Sequence, residues 1–217
     1  MIIYIGYLYY DLMNLYGEIG NIEALEYLLK NQGIKVVIDK LSVNDNIDFN
    51  KYDLLYIGCG TLSNELIVLN DILRYKKELK NYINNNKFIL STGNSIELFG
   101  KSIDGKDALN IFNYDSLLID KRIVGDYIND EIIGFQNRGS KIVNNNNPLF
   151  DNEIGVQYKN FYGTYLLGPL LVRNPRFSKK FIVELIKSKN SKFKFKKFDL
   201  KLDKEAYVSY INTYITK

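Results

Sequence analysis

Met1–Gly6 (MIIYIG) and Ile34–Ile38 (IKVVI) bracket a segment in which Ile22, Leu25, Leu28 and Leu29 recur at three- and four-residue spacing. The two flanking runs are short, apolar and β-branched, as strands buried on both faces are, whereas the segment between them has the period of a helix with one core-facing side. Asn21 is placed to cap that helix and Gly33 to end it. Strand, helix and strand in this order predict parallel pairing through a crossover. The unit recurs: Tyr52 to Ile57 reads as a strand, Asn64 to Ile83 as a long helix with Leu66, Leu69, Leu73 and Leu79 on one side, and Lys87 to Leu90 as the next strand. Such alternation predicts an α/β fold, a parallel sheet covered by helices on both faces.

From Asp107 to Asp151 the style changes to short β-type segments, Ser116 to Ile119 and Glu131 to Phe135, separated by Asn, Asp and Gly. These predict an antiparallel β extension, with Asn144 to Asn147 before Pro148 as a surface loop. Two helices close the chain. One follows Ser178 and carries Phe181, Ile182, Leu185 and Ile186; the other follows Asp203 and carries Ala206, Tyr207, Tyr210 and Tyr214. Between them Ser191 to Phe198 (SKFKFKKF) alternates lysine with phenylalanine, a pattern compatible with nucleic acid or an acidic membrane. Period two also gives an edge strand with phenylalanines on the core and lysines in water, and this is the reading adopted. No repeat or linker divides the chain, so residues 1–217 are expected to form a single domain.

Composition narrows the chemistry. The chain has no histidine, which excludes the Ser-His-Asp triad, the Cys-His dyad and any imidazole general base. Its one cysteine, Cys59, forms no intramolecular disulfide, and there is no cluster for zinc or iron; neither metal nor cofactor is expected. The net charge of +4, with no concentrated stripe expected, gives no reason to predict a nucleic-acid partner. The first twenty residues lack a basic start and a cleavage site, and no run of about 18 apolar residues occurs. A soluble, cytoplasmic protein without membrane insertion is therefore expected.

Five stretches in order resemble the cobyric-acid-synthase-like class I glutamine amidotransferases, most closely the glutaminase subunits of lipid II isoglutaminyl synthase. They are Leu15 to Leu25 (LYGEIGNIEAL), Ile57 to Gly60 (IGCG), Gly93 to Gly100 (GNSIELFG), Gly134 to Gly139 (GFQNRG) and Tyr158 to Pro169 (YKNFYGTYLLGP). The resemblance implies a three-layer α/β/α sandwich, class I glutamine amidotransferase-like and flavodoxin-like. The family's nucleophile lies on a sharp strand-to-helix turn, Cys-Gly-Gly-aromatic-Gln-x-Leu-Gly, where helix N–H groups favour the thiolate. At that turn Gly93 takes the cysteine position, and Asn94, Ser95 and Glu97 replace the two glycines and the glutamine. The family's Gly-Thr-Tyr-x-His-Gly-Pro is reproduced from Gly163 to Pro169 with Leu167 in place of histidine, while Gln136 and Arg138 stand where the closest relatives carry Glu and His.

The resemblance thus implies an amidotransferase-like subunit without the thiol–imidazole pair that attacks glutamine. It further implies a Mur-ligase-type synthetase partner and a cell-wall precursor as the amidated substrate. Two alternatives remain open at this stage. One is a binding protein or enzyme that uses a remodelled pocket of Gly93, Asn94, Glu97, Arg138 and Leu167, with Glu97 and Arg138 orienting a glutamine-like molecule by charge. The other is a glutaminase with an atypical residue set.

Several residues around that pocket carry competing readings. Cys59, in the loop Gly58–Cys59–Gly60 that helps form the family's oxyanion hole, is either a displaced nucleophile or a small filler, and is read as a filler. Ser91, Thr92 and Ser95 with Lys101 suggest a serine–lysine pair, but Ser95 and Lys101 lie six residues apart on different helix faces, so the hydroxyls are read as capping groups. Asn94 and Ser95 at a helix start also suit an anion. Asn137 lies beside Arg138 in the candidate pocket. Thr164, Tyr165 and the Gly168–Pro169 turn are read as packing and shape.

Overall fold

The computed structural model describes residues 1–129 and 132–215, the side chains of the last two excepted. Glu131, which opens a predicted strand, and the Tyr214 side chain lie outside the described residues. The elements run β1 (Ile2–Leu8), α1 (Ile19–Asn31), β2 (Lys35–Leu41), β3 (Leu54–Ile57), α2 (Leu62–Ile72), α3 (Lys76–Asn84), β4 (Phe88–Thr92), β5 (Ser102–Ile103), β6 (Lys106–Asp107), β7 (Asp115–Ile128) and β8 (Ile133–Val143), then β9 (Pro148–Leu149), β10 (Asp151–Tyr158), β11 (Phe161–Thr164), α4 (Leu170–Arg173), α5 (Pro175–Lys189) and α6 (Lys201–Ile215). The main sheet has the order β2-β1-β3-β4-β11-β10-β9, and a second sheet the order β6-β5-β7-β8.

The pairing follows from the residues. β1, β2, β3, β4 and β11 are parallel to one another, while β10 and β9 add an antiparallel edge. Alternate side chains of the central strands enter two cores. Leu55, Ile57 and Ile89 face the layer of α2 and α3, with Val68, Leu69 and Leu79. Leu54, Tyr56, Phe88 and Leu90 face the layer of α1 and α5, with Leu25, Leu29, Phe181 and Ile182. Helices on both faces make the expected three-layer sandwich. Each fully buried Leu or Ile contributes about 1.5–3 kcal/mol by leaving water, which is why four-residue β3, with every residue buried, is strand enough.

Several expectations are corrected. Asn21 does not cap α1: it lies inside the helix, buried, and its side chain donates to Tyr56 Oη (2.9 Å) and accepts from the Leu171 N–H (2.9 Å). The Asn14 carboxamide instead accepts from the Ile19 N–H at 2.9 Å. The long helix predicted over 64–83 is two helices joined by a 3-10 turn, Leu73–Tyr75. Tyr75 causes the break, because its ring packs against Phe49 and its hydroxyl donates to Asp45 O (2.5 Å) and accepts from the Ile47 N–H (3.1 Å). The short segment predicted at 116–119 and the described part of the one predicted at 131–135, from Ile133 on, belong to one long antiparallel hairpin, β7–β8, with a register shift between Leu118 and Ile123. Its strands are only partly buried, so polar residues such as Asp120, Lys121 and Asn137 mask the alternation. Ser191–Phe198 is not an edge strand but an extended strap. The Gln32 carboxamide accepts from the Lys196 N–H (2.8 Å) and donates to Lys196 O (3.4 Å), occupying backbone groups a ladder needs.

Candidate functional site

β4 ends in Thr92, and Gly93 turns the chain with φ +68 into a 3-10 turn, Gly93–Phe99. This is the left-handed region, where a side chain is strained and glycine is not. Space is also closed: a Cβ on Gly93 would lie 2.4 Å from Cys59 Cβ, 2.8 Å from Cys59 Sγ and 2.8 Å from a Leu167 methyl. Cys59, from the loop after β3, and Leu167, from the turn after β11, therefore fill the volume that a side chain at Gly93 needs. Cys59 is buried, and burial, reinforced by the charges of Glu18 and Glu65, pushes its thiol up to about 12, so the reactive thiolate is disfavoured.

The loop after β3 is engaged as well. Asn94 Oδ1 accepts from the Gly60 N–H at 2.9 Å, while Asn94 Nδ2 donates to Glu65 Oε2 at 2.9 Å. One side chain thus ties the loop after β3 to helix α2 and occupies the Gly60 N–H. Gly58 opens this loop, and a Cβ there would meet Met13 O at 2.6 Å. Ser95 is fully buried and bonded to Ser91 Oγ, Ile57 O and Thr92 O, whereas Lys101 is exposed; the structure does not bring this serine and lysine together.

A cavity of about 220 Å³ lies against this turn. Of the residues singled out from sequence, Cys59, Gly60, Gly93, Asn94, Glu97, Asn137, Arg138, Tyr165 and Leu167 line it; Gly58, Ser95 and Gln136 do not. Arg138 is stacked over the Tyr165 ring (4.9 Å) and donates to Gln136 Oε1 (2.9 Å) and Ser140 O (3.0 Å), with Glu153 3.6 Å away. Asn137 accepts from Arg122 Nε (2.5 Å) and donates to Tyr16 Oη (2.9 Å), joining the hairpin to the loop before α1. Leu167 is fixed by its N–H donating to Phe135 O at 2.9 Å.

Acids gather around the Gly93 turn. Burial raises the Glu97 carboxyl to about 7, partly offset by hydrogen bonding from Ser140 and by the Arg138 charge. Glu65 is held well above the carboxylate range by burial and by the negative charge of Glu97. Glu18 is buried, accepts from Tyr56 Oη at 2.5 Å and from the Thr92 hydroxyl, and is raised by burial to about 7. Glu18, Glu65, Tyr16, Arg122 and Ser140 were not singled out from sequence. A glutamate near a helix start ordinarily reads as solvated, and only the position of Glu18 inside the LYGEIGN stretch marked it. The two arginines of the cavity are both engaged, Arg138 with the Tyr165 ring, Gln136 and Ser140, and Arg122 with Asn137.

No family model matches the chain. It is 28% identical over 212 residues to the lipid II isoglutaminyl synthase (glutamine-hydrolyzing) subunit GatD of Streptococcus pneumoniae, covering 85% of this chain and 81% of that protein. To the subunit of the same name from Staphylococcus aureus it is 27% identical over 217 residues, covering 90% and 89%. Among solved structures, a glutamine amidotransferase matches with a TM-score of 0.54 at 16% identity over 83% of this chain and 97% of that one. A glutamine amidotransferase from Thermotoga maritima matches with a TM-score of 0.53 at 12% identity over 97% and 92%. The chain is thus similar to GatD subunits over most of its length and has the fold of the glutamine amidotransferases.

Proposed function

We propose that this protein is a non-hydrolysing, glutamine amidotransferase-like subunit that pairs in the cytoplasm with a Mur-ligase-type synthetase in the amidation of a cell-wall precursor. The names of the two relatives support the subunit role, since both are glutaminase subunits of a lipid II isoglutaminyl synthase. The observation that carries the loss of hydrolysis is the filled elbow: Cys59 and Leu167 occupy the space that a side chain at Gly93 requires. An amide carbonyl entering the cavity meets no thiolate, no imidazole and an oxyanion-loop N–H already bonded to Asn94. The preserved frame with an emptied centre fits a part kept for assembly.

The test is ammonia release from glutamine by the purified protein, alone and co-expressed with a Mur-ligase-type synthetase of its native host, together with affinity capture from that host. A complex that releases no ammonia above a boiled control is expected. Ammonia release above that control, whether or not Cys59→Ala abolishes it, or failure to capture a ligase-type protein, overturns one half of the reading each. A second reading, a pocket that binds a small amino-acid-like molecule without turnover, draws on Glu97 and Arg138, both of which line the 220 Å³ cavity. A melting-temperature rise with glutamine or glutamate supports it.

A further inference from the structure

Charge is not spread evenly along this chain. Between Arg173 and Lys204 twelve lysines and arginines stand against three carboxylates, so this stretch carries +9 while the whole chain carries only +4 and the remainder is net negative. The expectation of no concentrated stripe, drawn from the net charge, is therefore corrected. On α5 the basic residues Arg176, Lys179, Lys180 and Lys187 fall at helical spacing on the side opposite buried Phe181, Ile182, Leu185 and Ile186, and all four are exposed. The strap that follows adds exposed Lys192, Lys194, Lys196 and Lys197. The two elements form one surface: Lys179 Nζ sits 5.3 Å over the Phe198 ring, and Phe193, Phe195 and Phe198 pack on the core shared by α1 and α5. Of these eight side chains, none is within ion-pair distance of a carboxylate among the described residues, and none lines the cavity at Gly93.

We propose that this face, the outer side of α5 with the Ser191–Phe198 strap, docks the protein reversibly on the anionic headgroups of a lipid bilayer. The inference is independent of what the cavity does. Its chemistry favours a lipid surface over nucleic acid in two respects. Seven of the eight cations are lysines, hydrated point charges suited to a diffuse anionic field, where reading of bases favours the arginine fork. The rings between them are packed on each other, Phe193 to Phe195 at 5.1 Å and Phe195 to Phe198 at 6.2 Å, and on the core, so they are not open platforms for stacking bases. A cluster of four to eight lysines on one exposed face is instead the composition of electrostatic attachment to acidic lipid. No helix among the described residues is long and apolar enough to cross a membrane, so attachment is to the surface.

The full chain is to be floated with phosphatidylcholine vesicles, with and without about 30 mol % phosphatidylglycerol, at about 0.1 M salt and again at about 0.5 M. Co-flotation only with the anionic vesicles, released by high salt, is expected. Two charge-reversal variants, Lys192→Glu/Lys194→Glu/Lys197→Glu in the strap and Lys180→Glu/Lys187→Glu on α5, should each lose about tenfold or more in vesicle affinity. A control reversal on α3, Lys76→Glu/Lys77→Glu/Lys80→Glu, should retain it, with melting temperatures confirming that all variants are folded. Three results would overturn the proposal: no flotation of the native protein with anionic vesicles, flotation of both patch variants undiminished from that of the native protein, or complete displacement by duplex or single-stranded DNA at matched phosphate concentration.

Discussion

Gly93 combines two constraints that point the same way. Its φ of +68 disfavours any side chain, and the volume beside it is taken by Cys59 and Leu167. Gly93→Ala is therefore expected to destabilise the fold by about 1–3 kcal/mol from overpacking alone, read as a fall in the urea midpoint with unchanged slope. Adding Cys59→Gly to that variant should recover part of the loss, because the 2.4 Å approach is to Cys59 Cβ; equal loss in the single and double variants would show that the strain is purely conformational. The absence of thiol and imidazole was legible from the sequence, since it needs only residue types at matched motif positions. What fills the space was not. Cys59, Gly93 and Leu167 are far apart in the chain, and their contact exists only once β3, β4 and β11 pair. Glu65 escaped notice for the same reason: it reads as one more solvated helix residue until α2 is laid against the Gly93 turn.

Elements that present the cavity are held by polar ends as much as by cores. Thr61 caps α2, its hydroxyl accepting from the Asn64 N–H at 3.1 Å, and α2 carries Glu65 to the Asn94 bridge. Thr61→Ala should cost about 1 kcal/mol in thermal or urea unfolding, the usual cost of an N-cap, while leaving the sheet intact. The loop before α1 is tied down differently, through Glu18 bonded to Tyr56 of β3 and Thr92 of β4. Burial raises this carboxyl from an ordinary 4.5 to about 7, so the folded chain binds a proton that the unfolded chain has released. The associated stability is fully present below about pH 4.5 and is lost as pH rises through about 7; Glu97, shifted the same way, adds to the trend. Glu18→Gln, which removes the titration, should flatten the slope of unfolding free energy between those pH values, and an unchanged slope would exclude Glu18 as its source. Strands and amphipathic helices were legible because their periods are set by burial. The β7–β8 hairpin and the break at Tyr75 were not, the first because a half-exposed strand shows little alternation, the second because a tyrosine hydroxyl reaching Asp45 and Ile47 leaves no periodic trace.

At the scale of the whole molecule, both cores are built on the same strands. Leu54 and Tyr56 enter one core and Leu55 and Ile57 the other, with Phe88, Ile89 and Leu90 alternating likewise on β4, so neither helical layer can leave without exposing strands that the other layer needs. The hairpin is stitched in through Asn174, whose side chain accepts from the Ile133 N–H and donates to Ile133 O, both at 2.8 Å, and α6 through Tyr210 bonded to Asp126. The distribution of charge is the one large-scale property that averaging concealed, since +4 overall hides a strongly basic flank. We propose that the chain unfolds as one domain, and the sequence supplies convenient probes: it has 18 tyrosines and no tryptophan, with Tyr75 and Tyr82 in one core and Tyr7, Tyr56 and Tyr162 in the other. Urea transitions followed by tyrosine emission and by far-ultraviolet circular dichroism are expected to coincide in midpoint and slope, as cooperative loss of a shared sheet requires. Two separated transitions would instead mean that the hairpin or the terminal helix melts on its own. The strap lysines and the cavity would then have to be treated as features of bodies that move independently.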